Sequence, residues 1–139
     1  MDAMKVGNVY RALNKDNLHL LADVYHRNVV FEDAAHRLEG WQALELYFTN
    51  LYENVVDCRF DIHEQHQIDN VGFLTWTMTL QHPKLKKGAC VEVKGVSHLK
   101  FEAGKVIYHR DYFDLGEMLY ENLPLLGGII RAIKQRLGQ

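Results

Sequence analysis

The stretch CVEVKGVSHLKFEAGKVIYHRDYFD, Cys90 to Asp114, decides the fold. Its first part alternates with period two. Val91, Val93, Ser97, Leu99 and Phe101 share one face, opposite Glu92, Lys94, His98 and Lys100. Such alternation marks a half-buried strand. Glu102 to Lys105 reads as a tight turn, and the run beyond it is rich in Val, Ile, Tyr and Phe, which strands favour. Charge inside a strand is costly unless it faces water or finds a partner. Alternation sorts this second run into Ile107, His109, Asp111 and Phe113 facing inward, with Tyr108, Arg110, Tyr112 and Asp114 outward.

The same period extends backward. From Val71 to His82, Leu74, Trp76, Met78 and Leu80 oppose Thr75, Thr77 and Thr79, and from Cys58 to Ile68 the apolar set begins Cys58, Phe60, Ile62. HPKLKKG is a hairpin loop between strands. Further back the period becomes helical. Met4, Val6, Val9, Tyr10 and Leu13 recur at helix spacing, and a second helix carries Leu18, Leu21, Val24 and Tyr25 with Asp16 as its N-cap. NVVFED is a short extended run, HRLEG a loop, and Gly40 precedes a third helix bearing Trp41, Leu44, Tyr47, Phe48 and Leu51. Three helices followed by meandering strands predict an α+β domain, with the helices packed on one face of the sheet. The tail LPLLGGIIRAIKQRLGQ is an amphipathic helix that Gly127-Gly128 should break or hinge.

The whole chain of 139 residues, 47% hydrophobic and 24% charged, fits one soluble domain. A net charge of -2 lacks the basic surplus that nucleic acid demands. Two cysteines, Cys58 and Cys90, have neither a disulfide framework nor zinc spacing, so no metal is expected. With no secretory signal and no apolar run approaching about 18 residues, a cytoplasmic location is the default.

This order of elements resembles the cone-shaped fold of the nuclear transport factor 2-like superfamily, especially its SnoaL-like branch. The carriers are LNKDNLHLLADVYHRNVVFEDAAHRLEGWQALELYF and VKGVSHLKFEAGKVIYHRDYFDLGEML. The resemblance covers roughly residues 5–120 of a single domain 1–139, leaving 121–139 as a helical extension. It implies a curved mixed sheet closing around the helices into a cone, a small hydrophobic ligand inside, no cofactor, and a homodimer through the outer sheet face. For the extension three roles stand open: a lid on the cone, a further dimer contact, or a helix lying on a membrane surface with Arg131, Lys134 and Arg136 toward phosphates.

The fold hosts many activities, and three can be compared by position. The steroid isomerase branch resembles this chain at Asp33, where it holds its general base. Its oxyanion acids are not matched, since Ser97 holds the strand position, Tyr10 is one residue out of register and Asp33 lacks the following Pro. The limonene epoxide hydrolase branch resembles it at HRDYFD, which aligns Asp111, but the places of its Arg-x-Asp pair hold Trp76 and Met78. The SnoaL cyclases pair an acidic residue with a His, and His109 and Asp111 lie on one strand face about 7 Å apart at Cα. The resemblance therefore implies Asp111 as acid/base, His109 as its partner and Asp33 as a second carboxylate at the mouth. Trp76, Met78, Phe31, Phe48, Leu99, Phe113 and Tyr25 would form the wall. An isomerase or cyclase acting on a small carbonyl compound is one outcome, and a non-catalytic binder or accessory dimer of the same fold is the other. Asp33 caps the turn into AAHRLEG or serves the chemistry, and the apolar wall is core or pocket lining.

Overall fold

The computed structural model describes residues 1–118 and 126–138. Helix α1, Ala3–Ala12, starts where Asp2 Oδ1 accepts the Lys5 N–H at 2.9 Å, and it buries Ala3, Val6 and Tyr10. The expected second helix is instead a 3₁₀ segment, Leu18–Asp23. Tyr25, expected on that helix, opens strand β1, Tyr25–Glu32. The sheet accounts for the difference. Val106 N–H donates to Val24 O at 2.9 Å, so parallel pairing captures the chain there, and His, Asn and Val just beyond are poor helix formers. Strand β2, Arg37–Glu39, and helix α2, Trp41–Asn54, follow.

Strands β3 (Asp57–Ile68), β4 (Val71–Gln81), β5 (Cys90–Glu102) and β6 (Lys105–Phe113) complete a six-stranded sheet in the order β2-β1-β6-β5-β4-β3. All neighbours are antiparallel except β1 and β6. Parallel neighbours need a long crossover, and the whole of α2 to β5 lies between these two. The β5–β6 turn places Ala103 and Gly104 at φ 51° and 76°, the left-handed pair of a tight hairpin. Helix α1 packs on β3 and β4, and α2 packs on β1 and β2. The two helices thus cover opposite ends of one sheet face, and the space between them becomes the interior. This is the mixed-sheet α+β architecture of the cone fold.

One alternation differs from expectation. The β5–β6 register slips between Lys100–Tyr108 and Phe101–Val106, leaving Ile107 as a bulge. Val106, not Ile107, is buried, and Ile107 lines a shallow outer hollow with Met1 and Lys100. The extra residue restores the phase beyond it, so His109 and Asp111 still face the helices.

After β6 come a single turn α3, Leu115–Met118, and α4, Leu126–Leu137. Residues 119–125 and 139 of the expected extension lie outside the described residues. The two glycines do not interrupt α4 but sit in its first turn. Ile129, Ile133 and Leu137 form an exposed stripe, and Lys134 pairs with Asp114. No described helix is long and apolar enough to cross a membrane.

Gly95 faces Trp76 across the β4–β5 ladder, and a Cβ there would lie 2.3 Å from the indole. Trp76 is buried and rigid, so it cannot swing clear cheaply. Gly95→Ala is expected to cost about 1–3 kcal/mol in urea unfolding and to red-shift tryptophan emission as the indole is displaced.

Candidate functional site

His109 and Asp111 stand two residues apart on β6, so their side chains leave the same face of the sheet. His109 is 2% exposed and Asp111 17% by side chain. Their Nε2 and Oδ1 atoms lie 2.6 Å apart. Opposite Asp111 in the β5 register stands Ser97, whose hydroxyl donates to the same Oδ1 at 2.5 Å. Ser97 Oγ in turn accepts the indole N–H of Trp76 at 2.9 Å.

The other ring nitrogen of His109 is equally committed. Nδ1 lies 2.8 Å from the Tyr25 hydroxyl, and Tyr25 is hydrogen-bonded to the Tyr10 hydroxyl. Burial is the main cause holding both phenols well above the ordinary tyrosine range. Each therefore keeps a proton to donate at neutral pH. With a neutral His109 carrying hydrogen on Nε2, all donors point one way: Tyr10 to Tyr25, Tyr25 to His109, His109 to Asp111. With this set of donors each group of the series has a partner, and both ring nitrogens of His109 are held. Asp111 Oδ2 has no hydrogen bond among the described residues, so it is the carboxylate atom left for a ligand.

Asp33 is 8% exposed and serves another set of partners. Its Oδ1 accepts the backbone N–H groups of Ala35 and His36 at 2.8 and 2.7 Å, with His36 Nδ1 at 3.2 Å. Its Oδ2 accepts the Tyr47 hydroxyl at 3.0 Å. Burial and the adjacent Asp33 hold that phenol well above its usual range. This carboxylate caps the β1–β2 loop, and it makes no bond to His109 or Asp111.

A cavity of about 120 Å³ separates the two carboxylates. Asp33, His36, Tyr47, Asp111, Leu115 and Met118 are among its lining residues. A belt of rings surrounds it. Phe31, Tyr47 and Phe48 are mutually within 6.1 Å by centroid, Tyr10 bridges Phe48 to Phe60, and Phe60, Trp76 and Phe113 continue the belt. Of the expected wall, Trp76, Met78, Phe31, Phe48 and Phe113 line the cavity. Tyr25 and Leu99 do not. Leu99 is fully buried opposite His109 in the β5–β6 register, and Tyr25 lies behind His109. Tyr10, Tyr47 and Ser97 join the site without having been assigned to it. Tyr10 had the helix spacing of core, and only the folded register brings Ser97 to Asp111. Among the described residues no three His, Cys, Asp or Glu side chains are grouped to hold a metal ion.

The fold recurs widely. An NTF2-like protein of unknown function from Burkholderia pseudomallei is 18% identical, with a TM-score of 0.72 over 84% of this chain and 92% of the other. An LEH-like epoxide hydrolase from M. tuberculosis is 18% identical, with a TM-score of 0.72 over 96% and 95%. A candidate SnoaL-like polyketide cyclase from Shewanella denitrificans is 20% identical, with a TM-score of 0.69 over 83% and 90%. At these identities the likeness is one of fold. No curated protein matches at the level of sequence. The model of the SnoaL-like domain matches residues 6–109, most of the chain and both strands of the β5–β6 hairpin as far as His109, and the protein belongs to the SnoaL-like domain family.

Proposed function

We propose that the protein binds a small, mostly apolar molecule between α1 and α2 and moves a proton on it through Asp111. The observation that carries this reading is the asymmetry of the Asp111 carboxylate. Oδ1 takes the bonds from Ser97 and His109, while Oδ2, on a residue that lines the cavity, has no hydrogen bond among the described residues. A carboxylate fixed on one oxygen and open on the other is oriented for proton abstraction. His109 is its partner, holding the carboxylate through Nε2 while Tyr25 fixes the ring through Nδ1. An isomerase or cyclase step on a carbonyl compound is the chemistry this pair fits, with Trp76 and Met78 as apolar wall and Asp33 shaping the mouth.

A non-catalytic binder is the second reading, and a specific observation favours it. The cavity holds about four waters at roughly 30 Å³ each, well under the roughly 300–1,000 Å³ of pockets for drug-sized ligands. A folded polyketide chain does not fit such a space. Small ketones do, and they separate the two readings. Proton exchange next to the carbonyl of acetone or cyclohexanone in D₂O, followed by NMR, is expected to be faster with the protein than without it. Asp111→Asn keeps an acceptor for Ser97 and His109, so it should fold with a similar Tm while losing about 10²–10⁴ in exchange rate. Equal exchange in variant and wild type removes Asp111 from the chemistry, and exchange at the background rate in both leaves the binder.

We also infer self-association through the outer sheet face. There Phe73 stacks on His98 at 4.9 Å, Lys100 lies over Tyr108, and Val96 and Tyr112 are exposed. Sedimentation velocity is expected to give a dimer for the wild type and a monomer for Val96→Lys, with unchanged circular dichroism.

A further inference from the structure

The polar atoms that line the cavity are unbalanced in kind. Among the described residues, two carboxylates, Asp33 and Asp111, belong to its lining, and no lysine or arginine does. Its one titratable base, His36, is half-exposed and has Nδ1 on Asp33. The other side-chain donors are spent elsewhere. Tyr47 donates to Asp33, the Trp76 N–H donates to Ser97, and the Tyr10 hydroxyl is bonded to Tyr25. The loop N–H groups of Ala35 and His36 are held by Asp33 as well. What remains for a ligand is a carboxylate oxygen and a belt of seven ring neighbours running from Phe31 to Phe113. Acceptors and π-systems attract positive charge, and neither stabilises an oxyanion.

We propose that the cavity selects a compact organic cation, a protonated or quaternary amine with methyl-sized substituents. This rests on the cavity being the ligand site, which both functional readings share. An alkylammonium puts apolar methyl groups against the rings and a diffuse positive charge between the two carboxylates. The low polarity around it strengthens both attractions. A neutral carbonyl compound of equal size fits as well but is held more weakly, since its oxygen finds no free side-chain donor among the described lining residues. In the carbonyl reading the preferred substrate therefore carries its own ammonium group, which also acidifies the adjacent C–H for Asp111, and simple ketones react as poorer probes.

The test compares tetramethylammonium chloride with tert-butanol, each of five non-hydrogen atoms, by NMR titration of the whole protein against sodium chloride at matched ionic strength. The expected result is saturable shifts for residues lining the cavity, with tetramethylammonium at least about tenfold tighter. Asp111→Asn is expected to reduce that preference severalfold. Equal or tighter binding of tert-butanol to the wild type overturns the cation assignment and leaves the site intact. Failure of both compounds to shift the cavity residues overturns the assignment together with the site. The wild-type comparison decides the matter even where the variant does not fold.

Discussion

A carboxylate inside an apolar cone needs partners, and that requirement organises the interior. Removing a charged group from water costs several kcal/mol unless hydrogen bonds replace the lost hydration. Asp111 obtains its replacements from His109 and Ser97, and each of those groups must be satisfied in turn. Ser97 takes the Trp76 N–H, and His109 takes the Tyr25 hydroxyl, behind which stands Tyr10. The bonded series therefore runs from α1 through β1 and β6 to β5 and β4. It ties the parallel β1–β6 pair to the antiparallel part of the sheet. Gly95 belongs to the same requirement, because only a residue without Cβ lets the Trp76 indole lie close enough to reach Ser97.

The two acidic groups in the wall are separated by what holds them. Asp33 is saturated by backbone N–H groups of its own loop and by Tyr47, so its role is to fix the mouth. Asp111 is held by side chains on one oxygen alone. Placing α1 over β3–β4 and α2 over β1–β2 leaves the gap in which both appear. Residues of equal formal charge thus differ in how many of their oxygens are held by partners among the described residues.

Much of this fold was legible in alternation and helical spacing. The strand through Trp76 and the β5 face of Val91, Val93, Ser97, Leu99 and Phe101 needed only the period of two. Legibility ended where a distant register decides. The bulge at Ile107 moves one residue to the outer surface while leaving His109 and Asp111 inward, and no local pattern signals a slip of that kind. Residues 18–25 have the apolar spacing of a helix, yet pairing with β6 takes Tyr25 into the sheet. For the site, the pairing of His109 with Asp111 followed from their spacing on one strand. Their dependence on Tyr25 and Ser97 did not, because it comes from parallel and antiparallel registers that join residues 84 and 14 positions apart.

The departures from related enzymes form one interaction. By the resemblance drawn from the sequence, Ser97 would stand where the steroid isomerases have their oxyanion acid, and Trp76 where the epoxide hydrolases have an arginine. Considered separately, they are two missing catalytic groups. In the folded chain they touch: Trp76 donates to Ser97, and Ser97 donates to Asp111, the residue that aligns with the epoxide hydrolases' final aspartate. A serine can accept from the indole and donate to the carboxylate at once, which an ionised aspartate at 97 could not do. An arginine at 76 would bring a cation beside a carboxylate already served by His109, and it would meet the close backbone at Gly95. The replacements are therefore mutually dependent, and together they convert a donor-rich acid site into one whose donors are turned inward. Among the described residues, that leaves the cavity lined by aromatic rings and by Asp111, whose Oδ2 has no hydrogen bond.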